Sequence, residues 1–284
     1  MSAPVISTAS ISFAYRGGQT VFTDVNLTVR AGEVLVLLGP NGSGKTTLLN
    51  CLSGLLRPQS GRIELCGHDL RSLSMREIAL RLGYLPQIQT VSFEFSVLDY
   101  TVMGRAPHLR FGKSPTASDY SLAQQTLDQL GIARLATAPM SRISGGERQL
   151  AQIARVLMQE APLILMDEPT NHLDYGNQIR ALRLIQEMCA RGIAVIMTSH
   201  VPDHAIWLHS QVGVIRPGAP LVFGQAADTL DEQLLSELYQ ENISLHYLAD
   251  RGHCICVPEL EKLENSSTHD GREKGERKCN EERE

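Results

Sequence analysis

A glycine-rich segment with one lysine and two threonines offers the first chemistry in the chain. It follows a short apolar run at residues 34–38 and reads Gly39, Pro40, Asn41, Gly42, Ser43, Gly44, Lys45, Thr46 and Thr47. Glycines let the backbone curl so that several N–H groups face one anion, and a helix starting near Gly44 adds its positive end. The spacing predicts a loop that binds nucleotide phosphates, with Lys45 on the β- and γ-phosphates and the Thr46 hydroxyl on Mg²⁺.

Two adjacent carboxylates, Asp167 and Glu168, follow a second apolar run at residues 163–166. In open α/β sheets, ligands gather at the carboxyl ends of the strands, which is the edge where the glycine-rich loop also lies. We predict that Asp167 holds Mg²⁺ through water and that Glu168 is the general base for the water attacking the γ-phosphate. The simpler alternative for an acidic pair after a strand is that it caps the N-terminus of the next helix.

The elements that must position these residues are readable from apolar periodicity. The runs at 34–38, 163–166 and 193–198 predict parallel strands buried on both faces, and 3.6-residue patterns starting at 147 and 177 predict helices between them. Alternating residues between 11 and 29 predict an N-terminal antiparallel β subdomain, and residues 87–160 lack strand runs. The predicted fold is α/β: a P-loop NTPase with a mixed sheet core and a helical insert.

Composition narrows the class of protein. The 284 residues carry a net charge of -5 and show no clustered basic face, so nucleic acid is not an expected partner. The six cysteines lack paired spacing, which favours reduced thiols, and His253, Cys254 and Cys256 are too few for a closed metal site. No signal-peptide pattern opens the sequence, and no apolar stretch approaches the ~20 residues of a membrane helix.

Two regions are expected along the chain. Residues 1–258 form the ATPase domain, with its helical subdomain at about 87–160. Residues 259–284 are charged and polar, so we expect a disordered tail that cannot bury enough apolar surface to order itself.

The motifs resemble those of the ATPase subunits of ATP-binding-cassette (ABC) transporters, over about residues 10–223. Residues 143–149, ISGGERQ, resemble the family signature Leu-Ser-Gly-Gly-Gln, from which Ile143 and Glu147 depart. The family's other motifs match positions in the same order along the chain: Tyr15 for the aromatic residue on adenine, Gln87 for the glutamine loop, Asn171, His172, Leu173 and Asp174 for the loop after the acidic strand, and His200 for the switch histidine.

The resemblance implies how these parts work together. A second anion site is expected at the start of the helix, where it binds the γ-phosphate held by another copy of the chain. Its residues are Ser144, Gly145, Gly146 and Glu147. Two ATP molecules are then sandwiched in a homodimer. Gln87 is expected to sense Mg²⁺ or the attacking water, and His200 to hold the γ-phosphate.

Simpler interpretations remain for single residues. Tyr15 could be a strand aromatic, Gln87 a turn residue and Asp174 a helix N-cap. His204 and His209 are expected to be surface or partner-facing residues.

The segment from Ser96 to His108, and the triplet at 177–179, are similar to importer subunits for metal chelates: iron–siderophore complexes, haem, cobalamin and molybdate. That resemblance implies a two-copy transmembrane permease, an extracytoplasmic substrate-binding protein, and a peripheral location on the cytoplasmic face of the membrane. The sequence of such an ATPase subunit does not identify the cargo.

Three other functions compete. A soluble ABC-type ATPase acting on ribosomes shares the stretch at 167–174, but that group carries two cassettes per chain. DNA-repair or chromosome-organising ATPases place long coiled coils between the loop and the signature, and no sustained heptads occur here. A small-molecule kinase would need neither the signature nor a switch histidine.

Overall fold

The computed structural model describes residues 3–87, 94–110, 112–171, 173–249 and 253–259. The strands in these ranges are β1 (Pro4–Ala14), β2 (Thr20–Arg30), β3 (Val34–Leu38), β4 (Ser60–Leu65), β5 (His68–Asp69), β6 (Leu82–Leu85), β7 (Leu163–Met166), β8 (Ala194–Ser199), β9 (Gln211–Val214), β10 (Val222–Gln225), β11 (Ile243–Leu248) and β12 (His253–Pro258). The α-helices are α1 (Lys45–Leu52), α2 (Met75–Ala79), α3 (Val97–Val102), α4 (Ala117–Gln129), α5 (Gly145–Leu157), α6 (Tyr175–Ala190), α7 (Pro202–Trp207), α8 (Ala226–Thr229) and α9 (Glu232–Tyr239). Short 3₁₀ helices are Leu70–Ser72, Met103–His108, Ala133–Leu135 and Met140–Arg142.

The main sheet has the order β10-β9-β3-β8-β7-β6 and is parallel except for the edge strand β10. Every residue of β3, β7 and β8 is buried, as predicted for strands covered on both faces. Alternate side chains of β3 enter two different cores: Leu35 and Leu37 face one, Val34 and Val36 the other. The predicted mixed sheet is therefore confirmed.

The N-terminal sheet has the order β2-β1-β4-β5, and its strand pairs are antiparallel. Its apolar side chains form one core with α1 and with one face of the main sheet. The hairpin of β1 and β2 turns at residues 15–19, which include Gly17 and Gly18. This sheet therefore fixes one side of α1, the helix that follows the glycine-rich loop.

Helices α3, α4 and α5 carry a separate core, which includes Val97, Leu127 and Ala151. The next apolar positions of α5, Ile153 and Val156, belong instead to the core beneath the main sheet. One helix thus packs into both the core of the helical segment and the core beneath the sheet. The limits 87–160 for a helical subdomain stay a prediction.

The C-terminal strands β11 and β12 form an antiparallel hairpin. The hairpin is joined to α7 by a hydrogen bond from the Cys256 amide to Asp203 Oδ1, at 2.9 Å. The expected tail lies outside the described residues from 260 onward. In the described parts of the chain, no helix combines the length and apolar character needed to span a membrane.

Candidate functional site

The glycine-rich loop connects β3 to α1, as its spacing predicted. Two of its glycines leave no room for a side chain. A Cβ on Gly39 would lie 2.5 Å from the carbonyl oxygen of Ile215, and one on Gly44 would lie 2.5 Å from Cγ1 of Val21. Gly44 also has a φ of 104°, which glycine adopts at little cost. The tight curl of the loop therefore depends on these two residues being glycine.

Lys45 begins α1, and its side chain turns back into the loop. Its ammonium Nζ donates to the carbonyl oxygens of Gly39, at 2.7 Å, and Pro40, at 3.0 Å. Burial lowers the pKa of Lys45, while the nearby carboxylates of Glu168 and Asp167 oppose that shift. The lysine is thus a buried cation placed between the loop and the acidic strand end.

Asp167 and Glu168 leave the end of β7, as predicted, and the neighbouring strand β8 positions both of them. The Thr198 hydroxyl donates to Asp167 Oδ1 at 2.7 Å and accepts from the Glu168 amide at 2.7 Å. Glu168 has a φ of 49°, a region that few residues other than glycine occupy and that often marks functional sites. Thr198 is a site residue that the sequence analysis missed, although it is a hydroxyl at the end of an otherwise apolar run.

Two amides hold the side chain of Glu168. Gln87 Nε2 donates to Glu168 Oε2 at 2.7 Å, and Asn171 Nδ2 donates to the same oxygen at 2.9 Å. The structure therefore brings Gln87 and Glu168 together from positions 81 residues apart in the chain. Both amides donate to one oxygen of the carboxylate and so fix its orientation at the end of β7.

A cleft of about 780 Å³ opens over the loop and the acidic strand end. Most of the residues predicted to bind nucleotide or to take part in catalysis line this cleft: Tyr15, Pro40, Asn41, Gly42, Gly44, Lys45, Thr46, Thr47, Gln87, Glu168, Asn171 and His200. Val21 and Tyr239 also line it, and the sequence did not indicate them. Gly39, Ser43 and Asp167 are buried behind this surface.

Tyr15 stands at the rim of the cleft, directly after β1, with half of its surface exposed. Its hydroxyl is 3.1 Å from Thr47 Oγ1, and its ring meets Phe13 edge-on with the ring centroids 5.0 Å apart. A ring held at both ends beside the phosphate loop can stack on a flat base. Its assignment to adenine stays a prediction.

The signature residues lie outside the cleft. Ser144 caps the N-terminus of α5 by accepting from the Glu147 amide, and Ser144 and Gly145 are exposed. Gln149, one turn further along α5, donates from Nε2 to the carbonyl oxygen of Pro169 at 3.0 Å. The helix that starts with the signature is therefore tied directly to the residue that follows Glu168.

Asp174 is the N-cap of α6 and accepts from the Asn177 amide at 2.8 Å, as the simpler interpretation held. His204 is not a surface residue: it is only 2% exposed, and its Nδ1 is 2.9 Å from Ser199 Oγ. That expectation was wrong, because the imidazole is packed against the end of β8, where Ser199 lies, and against Trp207. His209 is exposed, and His172 lies outside the described residues.

The residues of the cleft fit a nucleoside triphosphate with Mg²⁺. The buried Ser43 hydroxyl has no hydrogen-bond partner among the described residues, beside a lysine that can donate one more hydrogen bond. Thr46 is exposed and lines the cleft together with Glu168, and hydroxyl, carboxylate and phosphate oxygens are the donors that Mg²⁺ takes.

The loop between a buried parallel strand and a helix, opposite two strand-end carboxylates, defines the class: this is a P-loop ATPase fold. The model of the ABC transporter family matches residues 22–171. The chain belongs to that family, and it is an ATP-binding ATPase subunit of the transport type.

Relatives and solved structures agree with this assignment. The chain is 36% identical to the hemin import ATP-binding protein HmuV of Streptomyces coelicolor, over 89% of this chain and 90% of that protein. It is 33% identical to the molybdate import ATP-binding protein MolC of Haemophilus influenzae, over 82% and 87%. A metal-chelate type ABC transporter in an inward-facing conformation superposes with a TM-score of 0.81, at 30% identity, over 91% of this chain and 99% of that one.

Proposed function

We propose that this subunit hydrolyses Mg²⁺-bound ATP to power the import of a metal-containing cargo through a separate membrane permease. The observation that supports it most is the single cleft that gathers the phosphate loop, Glu168, Gln87 and His200. Import ATPases of this family work with a permease component, and the named relatives are import subunits.

In the proposed mechanism, the loop amides and Lys45 bind the β- and γ-phosphates and neutralise their charge. When bound, Mg²⁺ would be held by Thr46 and Asp167, and it would supply further charge neutralisation on the phosphate oxygens. Glu168 orients the attacking water and takes its proton. Gln87 holds the carboxylate of Glu168, and His200, at the exposed end of β8, donates to the γ-phosphate.

A second copy of the chain completes the site. None of residues 143–149 lines the cleft of their own chain, yet Ser144 and the amides that follow it begin a 13-residue helix with an exposed N-terminus. Such a terminus attracts anions. A two-fold dimer would bring the signature of each copy onto the γ-phosphate held by the other.

Substitution of the general base tests this site directly. Glu168→Gln is expected to bind ATP, to hydrolyse it at least about 100-fold more slowly, and to form a stable dimer when ATP and Mg²⁺ are present. Light scattering after size exclusion, with and without ATP, measures the dimer. A Glu168→Gln protein that stayed monomeric at saturating ATP and Mg²⁺ would contradict the sandwich.

The cargo class rests on the relatives. Hemin and molybdate importers are similar to this chain over more than four-fifths of its length, which favours haem, cobalamin, iron–siderophore complexes or molybdate. We place the subunit at the cytoplasmic face of the membrane, bound to two copies of the permease and served by an extracytoplasmic binding protein.

Purification of the tagged chain from native membranes in mild detergent tests the partner. Mass spectrometry should identify a stoichiometric permease with many membrane spans, and its binding protein can then be titrated with each cargo. Recovery with ribosomes and no membrane protein would instead support the soluble ABC-type ATPase.

A further inference from the structure

The carboxylate of Glu147 is held on both of its oxygens. Oε2 accepts from the amide of Ser144 at 3.0 Å and from its hydroxyl at 2.8 Å, within the first turn of α5. Oε1 accepts from Nη2 of Arg134 at 2.5 Å. Arg134 belongs to a different element, the 3₁₀ helix Ala133–Leu135, so the pair connects the signature to a separate segment.

The carboxylate of Glu147 disfavours the binding of a phosphate at the N-terminus of α5, where it lies. The hydrogen bonds from Ser144, and then that from Arg134, hold the pKa of Glu147 below its ordinary value, so the group is ionised at neutral pH. A negative charge in the first turn stabilises the helix, but it also repels a phosphate that approaches the same N-terminus. The glutamine usual at this position in the resembling family carries no such charge.

Stability alone does not explain the ion pair. The side chain of Arg134 is 67% exposed and that of Glu147 is 24% exposed, and an ion pair with one partner largely in solvent contributes little to folding. The arginine does lie where charge matters, because it lines a cavity of about 500 Å³ that Ser144 and Glu147 also line.

We propose that Arg134 is a positioning residue that neutralises Glu147 and so allows the signature to accept the γ-phosphate of ATP bound to a second copy of this chain. The inference rests on the proposed ATP sandwich. On nucleotide binding, the Ser144 hydroxyl turns from Glu147 to the phosphate. The Glu147 carboxylate keeps its hydrogen bonds from the Ser144 amide and from Arg134, so its negative charge remains paired with the guanidinium.

The experiment measures ATP-driven dimerisation in the Glu168→Gln protein by sedimentation over a range of protein concentrations. Arg134→Ala is expected to weaken the dimer by about tenfold, which corresponds to about 1.4 kcal/mol. Arg134→Lys keeps the charge and should retain most of the affinity. The double change Arg134→Ala/Glu147→Gln should restore it, because it removes the unbalanced carboxylate together with the arginine.

Arg183→Ala is the matched control. Arg183 is exposed and lines the same cavity, and within the described ranges it makes no hydrogen bond or ion pair. Its loss should leave dimerisation unchanged.

Each other outcome overturns the inference. If Arg134→Ala dimerises as strongly as the parent protein, the arginine has no role in dimerisation. If its dimer is weakened and Glu147→Gln does not restore the strength, the role of the arginine is structural. An Arg183→Ala dimer weakened as much would mean that any positive charge in the cavity suffices. A Glu168→Gln protein that never dimerises removes the sandwich itself, which is a failure of the proposed function and is recognisable before any change at Arg134.

Discussion

Gln87 donates a hydrogen bond of 2.7 Å to Glu168, and that bond joins the end of the edge strand β6 to the end of β7. The Asp167 amide reinforces the same junction by donating to the carbonyl oxygen of Leu85 at 2.8 Å. Any displacement of the chain at Gln87 therefore acts on the orientation of the carboxylate.

Loss of that contact should slow hydrolysis without weakening ATP binding. Gln87→Ala removes one of the two amides on Glu168 and leaves the phosphate loop intact. We expect kcat to fall by about 10- to 100-fold, as is usual when a group that orients a catalytic side chain is lost. Steady-state ATPase assays and calorimetric ATP titration separate the two quantities. Gln125→Ala, on the exposed side of α4, is the control, and an equal loss there would refute the assignment.

Lys45→Ala should abolish most nucleotide affinity. The substitution removes a buried ammonium aimed at the loop, and a desolvated charge pair is worth several kcal/mol. We therefore expect ATP affinity to fall by about 100-fold or more. Isothermal titration calorimetry measures it, with Lys113→Ala, at an exposed lysine, as the control. Unchanged affinity in Lys45→Ala would contradict the assigned loop.

The sequence predicted the residues of this site that belong to a local pattern and missed those that depend on distant contacts. The phosphate loop and the acidic pair are local patterns, and each was found at its own strand end. The strands β6 and β9 were missed because each contains a glycine, Gly83 or Gly213, that signals a loop. Packing favours glycine at both positions, because a Cβ there would lie 2.7 Å from Val156 Cγ1 or 2.8 Å from Leu37 Cδ2 and one of the groups would have to move. Only the folded arrangement supplies that reason.

Polar residues show the same limit. Thr198 acts on Asp167 and Glu168 from the neighbouring strand, and strand order is not readable from one strand's sequence. Asp203, on α7, is bonded to Cys256 of the C-terminal hairpin, 53 residues further along the chain. Contacts between distant segments decide both, whereas motifs and periodicity report only on nearby residues.

Removal of the Thr198 hydroxyl should impair both stability and activity. Thr198→Val keeps the shape of the side chain but leaves the Glu168 amide without its acceptor and Asp167 without a donor. An unsatisfied buried group costs about 1–3 kcal/mol, so we expect a loss of that size in urea unfolding together with slower hydrolysis. Thr198→Ser retains the hydroxyl and should behave almost as the native protein. Equal behaviour of the two variants would show that the hydroxyl does nothing at the site.

Buried His204 should make the protein less stable in mild acid. Burial, and then the nearby His200, lower the pKa of His204 to about 4, from 6.5 for the unfolded chain. Between these two values the unfolded state binds the extra proton, so stability falls as the pH drops from about 6.5 to about 4. One group contributes a slope of about 1.4 kcal/mol per pH unit there, and none at higher pH. His204→Asn preserves a partner for Ser199 but cannot titrate, so its stability should depend less steeply on pH. Chemical unfolding at intervals between pH 4.5 and pH 8, a range set by these values, measures both proteins, and parallel curves would mean that folding does not lower the pKa of His204.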